Sequence, residues 1–285
     1  MIIRKMFFLL FTCHSLYATP IAEQFKESGY VEIADEENDE TRFNALYSYF
    51  DELIEFLQTN PRWEQKLYIA KERFIRSKDR SCYSTDFFGL YDESKRIGRS
   101  QISFYYSTHF HEFILARYPE FTQAPKILHF FEGCRKIQKP YGEVCNRAAS
   151  ELGIEEIFSS ISQPPILLKV VKYLPSYTAI RPHYDGTAFS LFLHSTDSDS
   201  LLLSPYKPSF SVDDFSSPIR TCSQSENQKS ILLIPGTFLS EFSIFPTPHI
   251  VLDSGQIRYA TIAFAMRANY TQQQIELSPL PSFKD

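Results

Sequence analysis

At 285 residues with 43% hydrophobic content, the chain is long enough to bury a core and too apolar for a disordered one. A net charge of −5 excludes a phosphate-neutralising nucleic-acid binder. The absence of an 18-residue apolar run argues against a stable spanning helix. Phe (26) and Tyr (17) are abundant and Gly (9) is scarce, which suits a sheet-rich core better than a glycine-loop nucleotide fold.

In chain order, Arg4 and Lys5 precede an apolar stretch from Met6 to Phe11, with Ala18 before Thr19-Pro20. A positive flank, an apolar stretch and a small residue are the order of a secretory signal ending at residue 18. An amphipathic N-terminal segment packed on the domain fits the same text. Cys82, Cys134, Cys145 and Cys222 form no CxxC pair, which argues against a zinc knuckle and points to buried or partly buried thiols.

Residues 21–33 read as a short helix, a stop at Gly29 and an extended Tyr30–Ile33. From 41 to 59, Phe43, Leu46, Tyr47, Phe50, Leu53 and Phe56 recur at helical spacing until Asn60-Pro61. Residues 62–100 show little period and read as loops and short pieces. Helices are predicted over 107–117 and 123–152, the second stopping at Gly153.

After Pro164-Pro165 the character changes. Ile166–Tyr173, Phe189–Leu193, Ser200–Leu203, Ser230–Ile234, His249–Leu252 and Ile257–Met266 are short apolar runs between Pro, Gly, Ser and Asp clusters, the all-β pattern. Ser211–Lys229 reads as a surface loop. The expected organisation is a single α+β domain over 19–285, with a mainly helical part over 19–164 and a strand core over 165–270.

Arg181-Pro182-His183-Tyr184-Asp185-Gly186 contains an H-x-D. In extended backbone, residues two apart face the same side, so the imidazole and carboxylate converge. His249, 64 residues beyond Asp185, is the candidate third ligand. Two histidines and one carboxylate on one side of a metal leave positions open for oxygen and substrate, the pattern of non-haem Fe(II). H-x-D alone is a chance-level pattern and is structural in most proteins; the text after His249 strengthens it. If Asp253-Ser254-Gly255-Gln256 closes a hairpin, Val251 pairs with Arg258 and His249 with Ala260. Arg258 then lies diagonal to His249 on one face, with Ala260, Ile262, Phe264 and Met266 continuing inward. An inward arginine requires an anionic partner, such as the distal carboxylate of a chelating co-substrate.

These segments resemble the isopenicillin N synthase-like, 2-oxoglutarate and Fe(II)-dependent dioxygenases. The resemblance rests on Lys172-Tyr173-Leu174-Pro175, His183-Tyr184-Asp185, Ser230 to Gly236, Thr247-Pro248-His249-Ile250-Val251-Leu252 and Arg258-Tyr259-Ala260. Phe25 to Tyr30 and Leu152-Gly153 are similar to the family's opening helix and strand and its later helix end. The resemblance implies a double-stranded β-helix (jelly-roll) core with N-terminal helices packed around it, and Fe(II) held by His183, Asp185 and His249. It further implies 2-oxoglutarate anchored by Arg258, and O2-driven oxidation of a small-molecule C–H bond with release of succinate and CO2. The sequence departs from the family at Ala260, where a serine is usual, and at Leu174, where the tyrosine beside the proline is usual. The latter leaves Tyr173 on the opposite face of a regular strand, and each lost bond to a charged group costs roughly 1.5–3 kcal/mol. Arg258 could compensate, and Lys169 or Lys172 could reach in.

Two further readings stay open: an Fe(II) oxidase of the isopenicillin N synthase type that uses no keto acid, and a non-catalytic jelly-roll binding protein. An exported chain that loses residues 1–18 and a cytoplasmic chain drawing on an intracellular co-substrate also both stay open. Among secondary candidates, His109-Phe110-His111-Glu112 lacks a second segment to complete a metal set. His194 after an apolar strand is more often a structural residue. Without a G-x-S-x-G elbow, hydrolase chemistry has no support. Asn269-Tyr270-Thr271 is a chance-level glycosylation match.

Overall fold

A computed structural model describes residues 20–35, 39–80, 82–94, 100–138, 140–158, 165–175, 180–197, 200–204, 230–252 and 255–267. The candidate signal at 1–18, the 211–229 loop, Cys222 and Asn269-Tyr270-Thr271 lie outside these residues.

Helix α1 (Ile21–Glu27) leads into strand β1 (Val31–Ala34). Helix α2 (Glu40–Thr59) begins at Asp39, whose side chain accepts a hydrogen bond from the Thr41 amide, and buries Phe43, Leu46, Tyr47, Phe50, Leu53, Ile54 and Leu57. Asn60-Pro61 stops it as expected, but Pro61 also opens α3 (Pro61–Ile75), since a proline at the first helical position loses no hydrogen bond. This corrects the loop expected over 62–100. The buried residues of α3 are Leu67, Ala70, Lys71 and Phe74, a helical period disguised because one of them is a lysine. The Lys71 stem is buried while its ammonium lies over the Tyr68 and Tyr91 rings, 4.7 and 4.6 Å from their centroids.

Strands β2 (Gly89–Asp92) and β3 (Gln101–Tyr106) follow, then α4 (Thr108–Arg117). The helix expected over 123–152 is two, α5 (Pro125–Gln138) and α6 (Tyr141–Glu151), because Pro140 cannot continue a helix. Gly153, at φ +67°, ends the second as expected. The remaining strands are β4 (Ile166–Tyr173), β5 (Ile180–His183), β6 (Phe189–Ser195), β7 (Leu201–Leu203), β8 (Ser230–Pro235), β9 (His249–Val251) and β10 (Arg258–Ala265).

Among the described residues the strands form two antiparallel sheets, a seven-stranded one ordered β1-β8-β6-β10-β4-β3-β2 and a three-stranded one ordered β5-β9-β7. Strands from the helical half extend both edges of the large sheet, which corrects the simple order of helices first and strands second. Alternation along β4 sorts its two faces. Val170 and Leu168 join the main core with the helices, while Val171 and Tyr173 pack with Val251, Ala260 and Leu201 toward the small sheet. On the helical side, Phe43 stacks on His194 at 4.7 Å, and Asp51 of α2 holds Lys172 at 2.7 Å.

The expected pairing of β9 with β10 does not occur. Strand β9 pairs with β5 and β7, and β10 with β4 and β6. Both hydrogen-bonding edges of each strand are occupied, so the connection between them carries the chain from one sheet to the other.

Candidate metal centre

His183 and His249 are directly opposed partners across the β5–β9 ladder, and Asp185 lies just beyond the end of β5. The pairing brings the two imidazole centroids to 4.2 Å. His183 Nε2 lies 3.7 Å from Asp185 Oδ1, and His249 Nε2 lies 3.6 Å from Asp185 Oδ2. One ligand atom from each residue falls within 4.8 Å of the other two, close enough for a single ion to touch all three.

The hydrogen bonds around the set fix its chemistry. His183 Nδ1 lies 3.0 Å from the Arg181 carbonyl, and His249 Nδ1 lies 3.3 Å from the Thr247 carbonyl. A carbonyl can only accept, so each Nδ1–H donates and each Nε2 keeps its lone pair for a metal. Burial and the adjacent His249 hold the His183 imidazole below the usual histidine range, favouring the neutral, ligating form. Burial pushes the Asp185 carboxyl up, but His249, His183 and a hydrogen bond from Ser190 outweigh it and hold it below the usual range, as an anion. Asp185 Oδ2 is buried without a hydrogen-bond partner among the described residues. An orphaned carboxylate oxygen beside two free imidazole nitrogens fits a divalent cation and little else.

The segment that carries Asp185 is clamped by the turn that follows β8. The Gly236, Thr237 and Phe238 amides donate to the Ala188, Asp185 and Thr187 carbonyls at 2.9, 2.9 and 3.1 Å. Gly236 is needed there because a Cβ would run into the Thr187 carbonyl.

Arg258 is buried (5% exposed) and faces the space between the sheets, as its parity predicts although the hairpin is absent. Its guanidinium stacks on Tyr173, 4.0 Å from the ring centroid, and donates to the Ser200 hydroxyl and, at 2.6 Å, to the Leu252 carbonyl. Tyr173 therefore faces inward, contrary to the expectation based on Leu174. A cavity of about 430 Å³ lies between the sheets, lined by Tyr173, Phe192, Leu201, Val251, Arg258 and Ile262 among others. Phe192 connects it to the metal set through an edge contact with His249 at 5.7 Å.

The other candidates separate cleanly. Lys172 is tied to Asp51 on the helical side and does not reach in, whereas Lys169 has the inward parity. His109 and His111 bond to the Tyr83 and Tyr106 hydroxyls at 2.9 and 3.0 Å, and His194 to the Tyr47 hydroxyl at 3.0 Å, all structural. Phe192 and Ser200 carried no sequence signal, since neither residue type is distinctive without the sheet register.

No protein-family model matches the chain, and no curated protein does. Among solved structures, it is similar to a protein from Caulobacter crescentus of the 2OG-Fe(II) oxygenase family (14% identity, 90% of this chain and 84% of that one, TM-score 0.49). It is also similar to the Arabidopsis thaliana dioxygenase for auxin oxidation in complex with 2-oxoglutarate (14%, 87% and 86%, TM-score 0.47). A third is an oxygenase from Shewanella oneidensis (15%, 92% and 92%, TM-score 0.46).

Proposed function

We propose that the protein is a non-haem Fe(II)- and 2-oxoglutarate-dependent dioxygenase with a double-stranded β-helix core, acting on a small molecule. His183, Asp185 and His249 are its metal ligands and Arg258 anchors the co-substrate. The observation that carries this reading is the orphaned Asp185 Oδ2 facing two imidazoles whose other nitrogens are already engaged. Three protein ligands leave coordination positions free, the arrangement suited to binding oxygen and a chelating oxoacid.

When bound, the iron supplies O2 activation coupled to oxidative decarboxylation of 2-oxoglutarate to succinate and CO2. The chain's own residues do the rest. The Arg181 and Thr247 carbonyls fix the imidazole tautomers, and the turn after β8 holds the Asp185 segment in place. Arg258, stacked on Tyr173, presents a planar cation suited to a carboxylate. Phe192, Leu201, Val251 and Ile262 give the cavity beside Arg258 an apolar side against which a carbon skeleton can pack.

The test is iron stoichiometry together with succinate release. Wild type should bind one Fe(II). His183→Ala or His249→Ala should abolish binding, and Asp185→Ala should weaken it. Undiminished iron in both histidine variants would remove the metal assignment. Iron binding with oxygen consumption but no succinate would favour the keto-acid-independent oxidase.

A further inference from the structure

The large sheet presents a second inward cation besides Arg258. Across adjacent strands, Phe192, Ile262, Lys169 and Tyr105 form one register row. Phe192 touches the His249 ring, so this row runs alongside the metal ligands. Lys169 belongs to the inward parity of β4 with Val171 and Tyr173, opposite to Lys172.

Lys172 has Asp51 for a partner, but Lys169 forms no ion pair among the described residues. Its ammonium lies over the Tyr105 ring, 5.6 Å from the centroid. One step along the same face of β3, Ser103 is fully buried and its hydroxyl has no hydrogen-bond partner among the described residues. An inward ammonium with no ion pair and a buried hydroxyl with no hydrogen bond, both among the described residues, are groups that a ligand carboxylate would complete. Beyond them Tyr105 stacks on Phe87 at 5.3 Å and meets Tyr91 edge-on at 5.5 Å, an aromatic wall.

This cation is not a duplicate of Arg258. Arg258 lies four residues along β10 from Ile262, roughly 14 Å at about 3.4 Å per residue. The two cations therefore sit at different depths of the sheet. An oxoacid bridging the metal and Arg258 leaves Lys169 to the other reactant.

We propose that Lys169 and Ser103 bind the carboxylate of the molecule that is oxidised, whose carbon skeleton lies against Tyr105. This names the substrate class of the centre proposed above, a small organic acid, and rests on that reading. One ammonium with one hydroxyl matches a singly charged carboxylate.

The test is calorimetric titration of the full chain, metal-free and loaded with Fe(II) under nitrogen. The probes are sodium benzoate, phenylacetate and hexanoate, with their uncharged amides alongside. At least one acid should bind at least tenfold more tightly than its amide. Lys169→Met should lose that preference, Lys169→Arg should keep most of it, and Ser103→Ala, the milder variant, should weaken the same acid severalfold. Binding of every acid unchanged in Lys169→Met, or no acid binding to wild type, overturns the proposal. So does a Lys169→Met variant that weakens 2-oxoglutarate and none of the acids, because Lys169 would then anchor the co-substrate. Failure of the metal reading shows separately, as acid binding by wild type that takes up no Fe(II).

Discussion

Arg258 shows how a single buried charge can be prepared for a ligand. Its guanidinium rests on the Tyr173 face and donates to two neutral acceptors, the Ser200 hydroxyl and the Leu252 carbonyl. These contacts hold the guanidinium in a fixed orientation, which lowers the entropy lost when it grips a carboxylate. Arg258→Ala should leave iron bound but raise the 2-oxoglutarate concentration needed for turnover by tenfold or more, corresponding to a charge-assisted contact of roughly 1.5–3 kcal/mol. The check is the co-substrate dependence of oxygen consumption beside iron stoichiometry. Ala260 lies two residues on, on the same face, packed with Val171 and Tyr173. Ala260→Ser restores a hydroxyl there and should shift the same curve the other way. An unchanged requirement in Arg258→Ala would move the keto-acid-independent oxidase ahead.

At the scale of elements, the centre depends on a strand that contributes no ligand. The turn that follows β8 donates three amides to the segment carrying Asp185, and the backbones approach so closely at Gly236 that a side chain there would strike Thr187. Gly236→Ala must therefore displace the 185–188 segment. The expected cost is about 1–3 kcal/mol of stability, as for other overpacked sites. Fe(II) affinity should fall with it, although no ligand has changed. Denaturant unfolding and iron titration of the same variant test both halves, and intact iron affinity would mean that Asp185 is held by other means. The two prolines show the same dependence on context. Pro61 ends one helix and begins the next, while Pro140 only interrupts.

Two behaviours belong to the whole molecule. The ion would join β5 and β9 to the segment beyond β5, so it should stabilise the fold and not only complete a site. At a hundredfold excess over Kd, binding contributes about 2.7 kcal/mol, a rise of several degrees in Tm that a chelator should reverse. The second concerns acid. Burial holds His111 and His194 below the usual histidine range. The unfolded chain takes up these protons near pH 6.5, whereas the folded chain resists them, so stability should fall as pH drops below about 6.5. Thermal melts at pH 7 and pH 5 should show the lower Tm at pH 5, and His111→Gln should flatten the difference.

Much of this was legible in the residues. Helix α2, the end at Gly153, most strands after 165 and the His183, Asp185 and His249 set could be read because periodicity, turn chemistry and ligand type are local properties. The parity of Arg258 was legible for the same reason. What could not be read is pairing. The α3 period was masked by a lysine with a buried stem, and β1, β2 and β3 gave no sign that they extend the sheet built by the second half. The β9–β10 segment reads as a hairpin locally, yet its strands belong to different sheets because other strands occupy both edges of each. Sequence alone determined which side chains could ligate a metal and which face each would take on its own strand. Only the tertiary structure decided which faces meet, because strand partners are chosen by long-range burial and the saturation of backbone hydrogen bonds. That choice set His183 opposite His249 and Lys169 in the row alongside them.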